Sequence, residues 1–262
     1  MSILEFSNVS HIVDDRPILD RVSWRLDSGQ HWAILGANGA GKTTLLKIAC
    51  GYLWPSTGGE VTRLGETMMD LRELRESIGW VSSDLQGSIP AREPVLDTVI
   101  SGRFAQIGLK RKLMTDGIPH NDIEDAWAEL ESLGAACLAQ QSFGTLSQGE
   151  RQKVLIARAR MAKPLVIFLD EPCGGLDPGA RESLLAALEK LAKGNDRISL
   201  VMVTHHVEEI MPSFTNTLAI ADGRVVAMGE TSQILTAELM AELYDVDQPE
   251  TVARNGRLWP IW

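Results

Sequence analysis

The sequence predicts an α/β fold with a parallel-sheet core, an N-terminal antiparallel β subdomain and an inserted helical lobe. Three patterns lead there. Alternating apolar residues open the chain, a strand–helix–strand pattern fills its second half, and between them lies a stretch with helical periodicity and no β-branched runs. The 262 residues, 44% of them apolar, suit one large domain or two small ones with a sizeable buried core.

Each element follows in order. Leu4 and Phe6, then Val22, Trp24 and Leu26 beyond the turn-rich Asp14-Asp15-Arg16-Pro17, alternate as half-buried antiparallel strands do. Trp32-Ala-Ile-Leu35 is continuously apolar and predicts a central strand covered on both faces. Residues 41–50 read as a helix closed by Gly51. From about Pro90 to Phe143 two amphipathic helices are expected, around 94–107 and 121–133, in the inserted lobe, whose bounds are about 88–145. Strands are expected at Leu165–Leu169 and Ile198–Val203. The helix between them carries Leu184, Leu188 and Leu191 on one face and stops at Gly194-Asn195. Short connections make this a βαβ unit, hence a parallel pair. Leu218–Ala221 and Arg224–Ala227, joined by Asp222-Gly223, predict a hairpin. Residues 1–250 are then expected to form a single domain, followed by a tail over 251–262.

Twenty-five basic against 35 acidic side chains leave a net charge of −10, which argues against a nucleic-acid binder held by bulk charge. No apolar run approaches the roughly 20 residues that cross a bilayer, and the first residues carry no basic-then-apolar secretory pattern. The three cysteines, Cys50, Cys137 and Cys173, are widely spaced with no CxxC pair and read as reduced cytosolic thiols.

The strongest chemistry lies at Gly36, Ala37, Asn38, Gly39, Ala40, Gly41, Lys42, Thr43 and Thr44, where a G-x-x-x-x-G-K-[ST] run follows an apolar strand and opens a helix. Glycines let successive backbone N–H groups turn toward a polyphosphate, and the helix N-terminus adds partial positive charge. Lys42 is placed to reach the β- and γ-phosphates, and the Thr43 hydroxyl to ligate Mg²⁺. Farther on, an apolar strand ends in Asp170-Glu171. Such a pair is often a solvated turn. Beside a nucleotide with Mg²⁺, however, Asp170 becomes a metal-facing carboxylate and Glu171 a base for an attacking water. Leu146-Ser-Gln-Gly-Glu150 places Ser147 and Glu150 as a capping box before another helix, which is either a well-capped surface helix or a second phosphate cradle.

With these motifs in this order, the chain resembles the ATP-binding cassette (ABC) ATPase family. Gly36–Thr43 is similar to its Walker A loop, Leu146–Glu150 to its signature with Gln148 where glycine is commoner, and Leu165–Glu171 to its Walker B strand. Gly175-Leu-Asp177 is similar to the D-loop and Val203-Thr-His205 to the switch histidine. The resemblance implies a P-loop NTPase with a RecA-like parallel-sheet core that binds ATP and Mg²⁺. It also implies a head-to-tail homodimer, in which Ser147, Gln148 and Gly149 of one copy meet the phosphate held at Lys42 of the other. By the same resemblance, His205 holds Glu171 and the water in line, and Asp177 links the two sites.

Two departures stand out. The family's glutamine at the junction with the helical lobe is replaced by Ser83, with Gln86 three residues later, so either Gln86 acts after a local shift or metal and water are held less directly. The family's adenine-stacking aromatic residue is missing, with only His11 nearby. These features, with Ile78-Gly-Trp-Val-Ser-Ser83 and Gly51-Tyr-Leu-Trp-Pro55, resemble a bacterial subgroup like the molybdenum-type and iron–siderophore-type importer ATPases.

The resemblance implies a subunit that hydrolyses ATP to drive transmembrane transporter subunits, peripheral on the cytoplasmic face of the membrane, with no span of its own and no nucleic-acid partner. The lobe, with Pro94–Ile107 and Lys110-Arg-Lys112, is the surface expected to meet them, and His206 is expected to be an ordinary loop residue. A soluble ABC ATPase acting on nucleic acid or ribosomes is the alternative; such chains carry two cassettes or a coiled-coil insertion, absent here. Trp259 and Trp262 are expected to pack back on the domain or on a dimer mate.

Overall fold

The alternating pattern at the start of the chain produces two long strands, β1 (Ser2–Val13) and β2 (Arg16–Asp27), paired antiparallel through a turn at Asp14 and Asp15, both at positive φ. A computed structural model provides the coordinates and describes residues 1–110, 117–194 and 198–262. β3 (Trp32–Leu35) is buried along its whole length and leads into α1 (Lys42–Ala49), whose end is marked by Gly51 at φ 74°. β4 (Glu60–Arg63) pairs with the other edge of β1, which completes a three-stranded antiparallel sheet.

The second sheet has six strands in the order β5 (Ile78–Val81), β6 (Val166–Asp170), β7 (Ser199–Thr204), β3, β8 (Asn216–Ala221), β9 (Arg224–Glu230). All neighbours are parallel except β8 and β9, the expected hairpin with Asp222 and Gly223 at positive φ. Period-two geometry sends alternate side chains of each central strand into two different cores. Trp32, Ile34, Val166 and Phe168 pack toward α1 and the antiparallel sheet. Ala33, Leu35, Ile167 and Leu169 pack toward the helices on the opposite face. This double burial explains why these strands read as unbroken apolar runs.

Before β5 lies α2 (Leu71–Ser77), and after it α3 (Ser83–Ser88), capped by the Ser82 hydroxyl. The helical region continues with α4 (Val95–Ser101), α5 (His120–Ser132) and α6 (Gln148–Arg160). The helix expected over 94–107 is therefore shorter than its periodicity suggested. It gives way to a 3₁₀ turn at Gly102–Phe104, because Gly102 runs so close to α6 that a Cβ there would overlap the Arg158 carbonyl oxygen, and Ala105 at φ 48° then redirects the chain. α7 (Pro178–Ala192) buries Leu184 and Leu188 in the core that also holds Ile167, Leu169, Leu200 and Met202. Asn195, expected to help stop α7, and Arg111 and Lys112 of the basic trio lie outside the described residues.

After β9 come α8 (Thr231–Ile234), α9 (Ala237–Tyr244) and a second hairpin, β10 (Glu250–Arg254) and β11 (Arg257–Ile261). That hairpin was not read from the sequence. Its signal was Asn255-Gly256, a favoured turn pair, here at φ 53° and 72°. No helix among the described residues is long and apolar enough to cross a membrane. Cys50 and Cys173 are buried free thiols and Cys137 is an exposed one.

Candidate functional site

The loop between β3 and α1 is built from backbone that only glycine fits. A Cβ on Gly36 would overlap the Ile220 carbonyl oxygen, and Gly41 combines φ 102° with a carbonyl oxygen 2.6 Å from where its Cβ would stand. No side chain caps α1, whose first N–H groups face an open cleft of about 410 Å³ lined by Ile18, Asn38, Gly39, Lys42, Thr43 and Glu171. Lys42 is almost wholly buried, and its ammonium group donates to the carbonyl oxygens of Gly36 and Ala37 at 2.8 and 2.9 Å. Burial pushes the Lys42 pKa down, while the carboxylates of Glu171 and Asp170 pull it back up. Glu171 lies 3.7 Å away.

The end of β6 brings two carboxylates with different surroundings to the loop, Asp170 beside Thr43 and Glu171 into the cleft. Asp170 is the last strand residue and accepts from the Thr43 hydroxyl at 3.3 Å. Burial raises its pKa against the Thr43 bond, and the neighbouring Glu171 charge adds to the rise. A half-buried carboxylate facing a hydroxyl beside a phosphate-binding loop is a hard-oxygen donor set that suits Mg²⁺, an ion that takes few protein ligands and completes its shell with phosphate and water. Glu171 sits at φ 47°, a left-handed backbone that costs energy for a residue with a Cβ, and its N–H is tied to the Val203 carbonyl at 3.0 Å. The turn aims its Oε1 at His205 Nδ1, 3.2 Å away at the end of β7. Lys42, Thr43, Asp170, Glu171 and His205, scattered along the chain, thus meet at one sheet edge.

Ser147, Gln148, Gly149 and Asp177 stand elsewhere. Ser147 N–H and Oγ–H both donate to Glu150 Oε2 at 2.8 Å, and the Glu150 N–H returns to Ser147 Oγ at 3.4 Å, completing the capping box that the spacing predicted. These bonds from Ser147, the side chain first and the backbone second, lower the Glu150 pKa. Gly149 packs against Ala180 at the start of α7, and Asp177 caps that helix by accepting from the Ala180 N–H at 2.9 Å. Gln148 is bonded to Gln86 in a reciprocal amide pair at 2.9 and 3.2 Å. The Gln86 side chain is thus engaged by Gln148, and Ser83 is the first residue of α3 after the Ser82 cap.

Two further histidines have specific neighbours. His206, expected to be an ordinary loop residue, packs its ring 4.2 Å from that of His205 and lies 3.2 Å from a Glu208 carboxylate oxygen. His11 Nδ1 lies 3.0 Å from the Trp54 carbonyl oxygen and 3.1 Å from the Ser56 hydroxyl.

A parallel sheet that ends in a glycine loop, a buried lysine and paired carboxylates defines the P-loop class of nucleoside triphosphatases. Within it the chain belongs to the ABC transporter family, whose model matches residues 19–174, and it is an ATP-binding cassette ATPase. The ABC transporter ATP-binding protein YlmA of Bacillus subtilis is 39% identical over 93% of this chain and 91% of its own length. The manganese transport system ATP-binding protein MntB of the same organism is 30% identical over 92% of each chain. Among solved structures, an inward-facing ABC transporter assigned to the metal-chelate type aligns at a TM-score of 0.77 and 27% identity, over 100% of this chain and 98% of that one.

Proposed function

We propose that two copies of this chain close head to tail around two ATP molecules and that ATP hydrolysis drives transport through membrane subunits bound from the cytoplasmic side. The observation that carries this reading is the division of the site. The hydrolytic groups gather around the first cradle, while the second, at Ser147–Gly149, has no bond to Lys42, Thr43, Asp170, Glu171 or His205 among the described residues. A second copy supplies the missing half of each.

In this reading the backbone of Gly36–Thr44 and Lys42 bind the phosphates. Thr43 and Asp170 hold Mg²⁺, which when bound neutralises phosphate charge. Glu171 takes the proton of the attacking water, and the His205 ring fixes the orientation of its carboxylate. The Gln86–Gln148 pair favours the looser of the two options for the junction, with Gln86 supporting the partner-facing signature rather than the metal. The likeness to metal-chelate-type and manganese relatives supports placement near the molybdenum-type and iron–siderophore-type importer ATPases.

The test mixes two inactive variants. Lys42→Ala removes nucleotide binding, and Ser147→Arg blocks the partner-facing cradle while leaving binding to the single subunit intact. Each alone is expected to turn over ATP at background, whereas the mixture restores activity, because every mixed dimer has one site that pairs an intact Lys42 with an intact Ser147. A mixture that stays inactive overturns the shared site.

A further inference from the structure

The loop that carries His205 is held from two sides. From beneath, the Thr204 hydroxyl donates to the buried Glu209 carboxylate at 2.6 Å and accepts the His206 N–H at 2.9 Å. From the other side, Tyr244, the last residue of α9, donates its hydroxyl to the His205 carbonyl oxygen at 2.8 Å. Burial raises the Tyr244 pKa, so the phenol stays a neutral donor. Trp262 stands edge-on to the Tyr244 ring with centroids 5.3 Å apart. The hairpin grips the next residues along: Arg257, only 7% exposed, donates to the Glu208 carbonyl oxygen at 2.7 Å and to Glu182 at 2.6 Å, with its guanidinium over Trp259. The end of the chain therefore binds backbone atoms on both sides of His206, next to a histidine whose ring is 3.2 Å from Glu171.

We propose that α9 and the C-terminal hairpin form a buttress that sets the position of His205, with Tyr244 as the positioning residue through its bond to the His205 carbonyl. The bond fixes the His205–His206 peptide and so holds the backbone from which the His205 side chain departs. It does so at the point where hydrolysis needs a fixed His205–Glu171 distance. Nothing in this arrangement touches the phosphate loop, so its effect falls on turnover and not on nucleotide affinity. The inference rests on the reading of His205 given above.

Tyr244→Phe deletes a single hydroxyl and keeps the ring against Trp262. Binding of a fluorescent ATP analogue should stay within about twofold of wild type while ATP turnover falls about 3- to 10-fold, the range of one lost hydrogen bond. The imidazole NMR resonances of His205, assigned with His205→Ala, should shift in the same variant. Trp262→Ala should lower turnover by about 2- to 3-fold through a looser Tyr244 ring. If His205→Ala turns over ATP at the wild-type rate, the assignment of His205 fails and the buttress falls with it. If His205→Ala is slow, and Tyr244→Phe leaves either turnover or the His205 resonances unchanged or weakens analogue binding as much as turnover, the buttress alone is overturned.

Discussion

Two helices of this chain begin with residues suited to phosphate, and they are prepared in opposite ways. α1 starts without a side-chain cap, and its surroundings hold a buried lysine, a half-buried aspartate and a glutamate on strained backbone. α6 starts with a completed capping box, its serine engaged by its own Glu150 and its Gln148 by Gln86. Groups at α1 are kept at a cost in desolvation and strain, the signature of a site organised for a ligand. The start of α6 is satisfied within the chain, which keeps that surface stable; in the proposed dimer a phosphate held by the partner would compete for it. On that reading one region reacts and the other recognises.

The sharpest way to break this contrast is Glu171→Gln. If α1 holds the reacting half, turnover should fall about 10²- to 10⁴-fold with ATP binding retained and a closed dimer accumulating on sizing columns. Turnover near the wild-type rate would strip the α1 region of its hydrolytic role.

A smaller effect is expected at the recognising half. Gln86→Ala and Gln148→Ala each remove the same amide pair, so each single variant and the double variant should share one defect, about 2- to 10-fold in turnover. Defects that multiply in the double variant would mean that Gln86 and Gln148 act apart.

The smallest test reads stability against pH. Burial raises the Glu209 pKa, so ionisation of that carboxylate disfavours the fold as pH rises above the ordinary glutamate range. Glu209→Gln is expected to melt above wild type at neutral pH and to converge with it on acidification. Glu150 is the reverse, its pKa lowered by Ser147, so its stabilisation is complete above the ordinary range and fades as pH falls through its lowered pKa. Glu150→Ala should melt below wild type at neutral pH and converge in acid. Thermal melts at stepped pH values check both, and curves of the same sign for the two variants would erase the distinction.

Much of this was legible because local rules dominate at these positions. The Walker-type loop, the capping box and the Asp222-Gly223 hairpin each rest on a few adjacent residues whose conformational preferences decide the backbone. The helix over 94–107 misled because its periodicity is real while its end is decided by α6, a neighbour more than forty residues on. The C-terminal hairpin was overlooked although Asn255-Gly256 announced it, because its strand β10 is exposed throughout and shows no alternation.

The sequence by itself determined the fold class and the family, since glycine placement and strand–helix order leave few other backbones for those residues. The family resemblance anticipated that Glu171 meets His205, 34 residues apart. Only the tertiary structure placed Gln86 against Gln148 and Tyr244 against His205, across gaps of 62 and 39 residues. No local propensity encodes such meetings. They arise because the parallel sheet brings the ends of β6 and β7 to one edge, and because α9 and the hairpin return the end of the chain to that edge.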